Sequence, residues 1–131
     1  MVCLDSSFLV DLLRGNDDTS NFLEKYESAG ENIFVSSISL AELIKGAYLS
    51  ANPQKEESKV KGLISSFLEL PFNNECAFLA GKIEAELISK GEIIGVEDVM
   101  IAATAIQNNE LLITRNKKHF EKIKELKIGG Y

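Results

Sequence analysis

Val2-Cys3-Leu4 is a short apolar run that stops at Asp5, and from Phe8 the apolar positions Leu9, Leu12 and Leu13 recur at helical spacing as far as Gly15. Buried strands leave short unbroken apolar runs, whereas helices return to one face every three to four residues, so the reading is a strand followed by a helix. NDDTS then reads as a turn and cap before a helix carrying Phe22, Leu23 and Tyr26. Ile33-Phe34-Val35 is a second strand, and a helix opening near Ser39 puts Leu40, Ile44, Ala47 and Tyr48 on one side. Pro53 suits the first turn of the next helix, which carries Val60, Leu63, Ile64, Phe67 and Leu68. Leu70-Pro71-Phe72 is strand-like in spite of its proline. A long helix follows with Cys76, Leu79, Ala80, Ile83, Leu87 and Ile88 on one face, then a loop over residues 91–95 and an alanine-rich helix around Ala102 to Ile106. Leu111-Leu112-Ile113-Thr114 is a strand, and a short basic helix and a small tail complete the chain.

Apolar strands alternating with helices predict a parallel sheet covered on both faces, because each crossover lays a helix on the sheet. The expected fold class is α/β, a three-layer α/β/α sandwich with a central parallel sheet of about 4–5 strands. A length of 131 residues fits one domain spanning residues 1–131. Such a chain buries roughly two-thirds of the surface its unfolded form exposes and needs no disulfide or structural metal to fold.

Composition narrows the function classes. The chain is 45% hydrophobic and 26% charged, the balance of a water-soluble globular protein. No apolar run approaches the roughly 20 residues of a membrane span, and the start lacks the basic and apolar regions of a signal peptide. A cytoplasmic protein without membrane partners is expected. Cys3 and Cys76 form no CxxC pair, and His119 is the only histidine, so reduced buried thiols are expected and a zinc site is not. The net charge of −6 is unevenly distributed: residues 115–131 hold six bases against two acids, a net of +4 beside −10 for the remainder. A local basic segment is compatible with a polyanion, since binding follows patches rather than totals.

Three acids occupy equivalent places. Asp5 follows the first strand, Glu42 lies early in the helix after the second, and Asp98 begins the helix EDVMIAATA. In parallel α/β sheets ligands bind at the carboxyl ends of strands, in the turns that lead into helices. Each acid has a purely structural reading. Asp5 is a suitable N-cap, Ser39-Leu40-Ala41-Glu42 has the spacing of a capping box, and Asp98 complements a helix dipole. Convergence on one sheet edge would instead make the carboxylates repel until a cation such as Mg²⁺ or Mn²⁺ joined them. The residues by themselves leave both readings open.

The stretches LDSSFLVDLLRG, SSISLAELIKG, GVEDVMIAATA and LLITRNKKHF, in this order over residues 4–120, resemble the PIN domain, and within it the VapC-type toxins of toxin–antitoxin (VapBC) pairs. The resemblance implies a ribonuclease dependent on Mg²⁺ or Mn²⁺, usually a homodimer, that cuts RNA and is inhibited by a cognate VapB-like antitoxin. It assigns Asp5, Glu42 and Asp98 as the catalytic, metal-binding acids, with Ser7, Thr114 and Asn116 around them. Arg14 and Arg115, with Lys117 and Lys118, become candidates for phosphate contacts. Glu97, about 100° around the helix from Asp98, is expected outside the ligand set. Many PIN domains carry a fourth acid in the last motif, where this chain has Asn116 and His119; His119 is expected at the surface. Three other readings stay open: an RNA-processing PIN nuclease, an inactive PIN-like module that only binds a partner, and a domain in which the acids merely cap helices.

Overall fold

The computed structural model describes residues 1–131. Its first strand, β1 (Val2–Leu4), alternates its side chains across the sheet. Val2 and Leu4 enter one core with Phe8, Leu9, Leu43 and Val60, while Cys3 enters another with Ala80, Ile83, Ala102 and Phe120. Strand β4 (Leu111–Ile113) divides in the same way, with Leu112 in the second core and Ile113 in the first. This period-2 division is what a sheet covered on both faces requires. Helices α1 (Ser6–Leu13), α2 (Asp17–Ser28), α3 (Ser37–Tyr48) and α4 (Pro53–Ile64) supply most of the first core. Helices α5 (Asn74–Lys90) and α6 (Val96–Gln107) supply most of the second. The result is the expected three-layer α/β/α sandwich.

Two further strands, β2 (Ile33–Ser36) and β3 (Leu68–Leu70), lie beside β1, and β5 (Ile128–Gly129) lies beyond β4. All pairings are parallel, in the order β3-β2-β1-β4-β5. The strand order reverses at β1, so the crevice at its carboxyl end, between β1 and β4, is the switch point where such sheets hold ligands. Asp5 and Thr114 directly follow these two strands.

Three boundaries differ from the sequence reading. Helix α4 ends at Ile64, so Phe67 lies beyond it and Leu68 opens β3. The third strand closes at Leu70, before Pro71, whose ring nitrogen has no hydrogen to donate to a ladder. The tail forms β5, whose two residues are too few for a periodic signal; Gly129 packs closely there, since a Cβ would lie 2.8 Å from Ile113 Cδ1. The short helix α7 (Lys117–Phe120) sits between β4 and β5, with Phe120 buried. Cys3 and Cys76 are both buried and free, and burial, with repulsion from Asp5 and Glu110, pushes the Cys3 thiol up to about 12.

Packing here makes a sharp forecast for two phenylalanines. Phe8 is fully buried, with its ring edge-on to Phe22 and Tyr131, whereas Phe78 is 76% exposed. Phe8→Ala should cost about 3–5 kcal/mol in a denaturant titration, and Phe78→Ala close to nothing. Equal costs would mean that the core is not where the structure puts it.

Candidate metal centre

Asp5 is 1% exposed, and both of its carboxylate oxygens accept hydrogen bonds. Oδ1 takes the Ser6 main-chain N–H at 2.8 Å, with the Ser6 hydroxyl at 3.4 Å. Oδ2 takes the Ser7 hydroxyl at 2.8 Å and the Thr114 hydroxyl at 2.7 Å. Asp5 therefore does cap α1, and it is also clamped from two elements, α1 and the turn after β4. Burying a carboxylate is costly unless its lone pairs are met in this way.

Glu42 is not half of a capping box. Helix α3 begins at Ser37, and Ser36 caps it by accepting from Ile38 N and Ser39 N. The cap lies three residues earlier than the sequence suggested, which moves Glu42 into the second turn, away from any free main-chain N–H. Its Oε1 is buried with no hydrogen-bond partner. Burial pushes its carboxyl above the usual range; the Ser6 hydroxyl opposes this, and repulsion from Asp98, Asp5 and Glu97 adds to it.

Asp98 occupies the first turn of α6, whose cap residue Gly95 offers no side chain. Burial and then repulsion from Asp5 raise its carboxyl, while His119 opposes through its charge and a hydrogen bond. That bond joins His119 Nδ1 to Asp98 Oδ2 at 3.0 Å. His119 is exposed, as the sequence suggested, and has in addition a specific acidic neighbour. Glu97 is exposed and acts on Glu42 and Asp98 only as a repelling charge.

The remaining candidates separate by position. The Ser7 and Thr114 side chains touch Asp5, while Asn116 contributes its main-chain N–H, which donates to Thr114 Oγ1 at 3.0 Å. Arg14 is exposed and lines, with Glu42 and Lys59, a groove of about 450 Å³ between α1, α3 and α4. Arg115 is paired with Asp11, its Nη1 2.6 Å from Asp11 Oδ1. Sequence reasoning passed over Ser6, Asp11 and Tyr131. Asp11 could have been noticed as an acid one helical turn after Ser7 and beside Phe8, on a short helix that is otherwise mostly apolar.

As the side chains stand, no three His, Cys, Asp or Glu residues come together closely enough to ligate an ion. The donor chemistry nonetheless fits a hard divalent cation. The acids are oxygen donors that repel one another, their one basic partner is His119, and Glu42 Oε1 is a buried acceptor with nothing to accept from.

A family model described as the PIN domain matches residues 2–126. The Ribonuclease VapC2 of Rickettsia felis is 34% identical over 130 residues, covering 98% of this chain and 96% of the relative. The tRNA(fMet)-specific endonuclease VapC of Salmonella typhimurium is 35% identical over 108 residues, 82% of each chain. Among solved structures, VapBC2 from Rickettsia felis bound to a DNA fragment from its promoter superposes with a TM-score of 0.93 at 33% identity, covering 100% of this chain and 99% of that one.

The raised carboxyls set a pH dependence of stability. A carboxyl whose folded-state pKa lies above its unfolded value contributes stability that is complete at low pH and is lost as pH rises through the folded value. Glu42→Gln, permanently neutral, should therefore melt higher than the native chain at pH 8 in EDTA. The difference should vanish below the ordinary glutamate value of 4.5. Parallel melting curves from pH 4 to pH 8 would show that Glu42 carries no such strain.

Proposed function

The chain belongs to the PIN domain family, and from that premise we propose that it is a divalent-metal-dependent endoribonuclease, the toxin of a VapBC-type toxin–antitoxin pair. The reaction class follows from relatives that are ribonucleases over most of the chain's length. The observation that carries the metal is the strained acid cluster at the switch point, with a buried Glu42 oxygen lacking any protein partner. Asp5, Glu42 and Asp98 are the side chains that would hold Mg²⁺ or Mn²⁺. Such an ion, when bound, supplies an activated water and charge stabilisation at the phosphorus for phosphodiester hydrolysis.

The chain's own groups do the rest. Ser7 and Thr114 fix the orientation of the Asp5 carboxylate, and the Asn116 main chain fixes Thr114 in turn. The unpaired Oε1 of Glu42 is an acceptor for the attacking water, which needs orientation more than a strong base. No histidine is required as general base, and His119 serves to hold Asp98. Arg14 on the Glu42 side and Lys117 and Lys118 on the Thr114 side would meet flanking phosphates, a reading supported by the clefts they line.

A single PIN domain over residues 1–131, acting in the cytoplasm as a homodimer, agrees with this reading. No helix is long and apolar enough to cross a membrane. The groove beside Glu42 has the apolar lining, including Val10, Leu13 and Leu43, that an amphipathic antitoxin helix would cover. The toxin assignment is favoured over an RNA-processing role because the solved relative is a VapBC assembly. The three retained acids argue against an inactive module.

Asp98→Asn should keep the fold and abolish cleavage of a structured RNA pool that the native protein cuts with Mn²⁺ and not with EDTA. Native-level cutting by the variant, or cutting in EDTA, would remove the metal-acid mechanism.

A further inference from the structure

Asp11 is a buried acid with two committed oxygens. Oδ1 accepts from Arg115 Nη1 at 2.6 Å, and Oδ2 accepts from the Tyr131 hydroxyl at 2.5 Å. It is 8% exposed, and a charge so placed is costly unless paired, so the three groups form one structural unit. Each comes from a different element. Asp11 stands on α1, Arg115 in the turn after β4, and Tyr131 just beyond β5, its ring edge-on to Phe8 at 4.7 Å.

The unit bears on Asp5 through the same two elements that clamp it. The Arg115 main-chain N–H donates to Ser7 Oγ at 3.2 Å, and Arg115 is preceded by Thr114, whose hydroxyl reaches Asp5 Oδ2. Ser7 and Thr114 hydroxyls also lie 3.3 Å apart. Asp11 thus ties the 114–116 turn to α1 at the side chain of the residue whose main chain already bonds Ser7. A carboxylate that must keep one orientation depends on its donors not moving relative to each other.

The same geometry divides the basic residues. Arg115 is neutralised by Asp11, whereas Lys117 and Lys118 have no acidic partner. The end of the Lys117 side chain lies beside Gly130, where a Cβ would come 2.9 Å from Nζ. All three basic residues line an open cleft of about 600 Å³ that begins at Thr114, and only the lysines bring it an unpaired charge.

We infer that Asp11, Arg115 and Tyr131 are positioning residues that hold Asp5 in its metal-binding orientation, and that Arg115 belongs to this brace while Lys117 makes the phosphate contact. This rests on the metal-nuclease reading above. The test measures Mn²⁺ binding by calorimetry, and the salt dependence of binding to a mixed-sequence single-stranded oligoribonucleotide in EDTA. Tyr131→Phe keeps the ring on Phe8 and should weaken Mn²⁺ about threefold, the effect of one net hydrogen bond. Asp11→Asn should weaken it roughly tenfold, as loss of a group that orients a ligand does. Arg115→Gln should leave the salt slope of RNA binding unchanged, while Lys117→Gln should reduce it by about 0.7.

Native Mn²⁺ affinity in Tyr131→Phe would overturn the brace, and that variant decides the matter even if Asp11→Asn fails to fold. A reduced salt slope in Arg115→Gln would return that residue to the RNA. A native protein that binds no Mn²⁺ would overturn the metal reading and the brace together, whereas native binding with unchanged variants would sink the brace alone.

Discussion

The crowding of like charge around Asp5 is the constraint on which the rest of the structure turns. A carboxylate buried at the end of β1 stays in place because Ser6, Ser7 and Thr114 donate to it, and its charge then bears on Asp98 and Glu42. Parallel pairing of β1 with β4 brings Thr114 beside Asp5, since Leu4 and Ile113 are partners in register. Reversal of the strand order at β1 leaves the crevice open above them. The fold supplies a rigid edge, and the acids make that edge unfavourable until something positive arrives.

This arrangement also explains why the site opposes the stability of its own scaffold. Glu42 and Asp98 lie partly buried with raised carboxyls, and neither serves as a helix cap. A sequence selected for stability alone would place neutral or capping groups there. The surrounding cores, packed on both faces of the sheet, absorb that cost. Cation binding would relieve it, linking stability to ligand through mass action.

Much of this was legible in the sequence, for identifiable reasons. Alternation of short apolar runs with helical periodicity revealed the layers, because the strands are buried on both faces and carry no polar interruption. Asp5 and Asp98 were legible as site candidates because each directly precedes or opens a helix. The cap of α3 was not, since Ser36, Ser37 and Ser39 are equally good candidates by composition and only main-chain geometry selects Ser36. Strand β5 escaped because two residues have no period, and its pairing is imposed by β4. The Asp11–Arg115–Tyr131 unit escaped for a deeper reason: its members lie 104 and 120 positions from Asp11 along the chain, and no local pattern links them.

Those separations carry a consequence for how the molecule comes into being. Thr114 lies 109 positions from Asp5, so the site is built from the two ends of the folded sequence. Contacts of such long range form late, because loop closure must be met before they contribute. A nascent chain completed from β1 through α3 holds Asp5 and Glu42 but not the hydroxyl that orients the first of them. Because Thr114 reaches Asp5 only when β4 pairs with β1, the oriented carboxylate is a property of the completed sheet and of no earlier portion of the emerging chain.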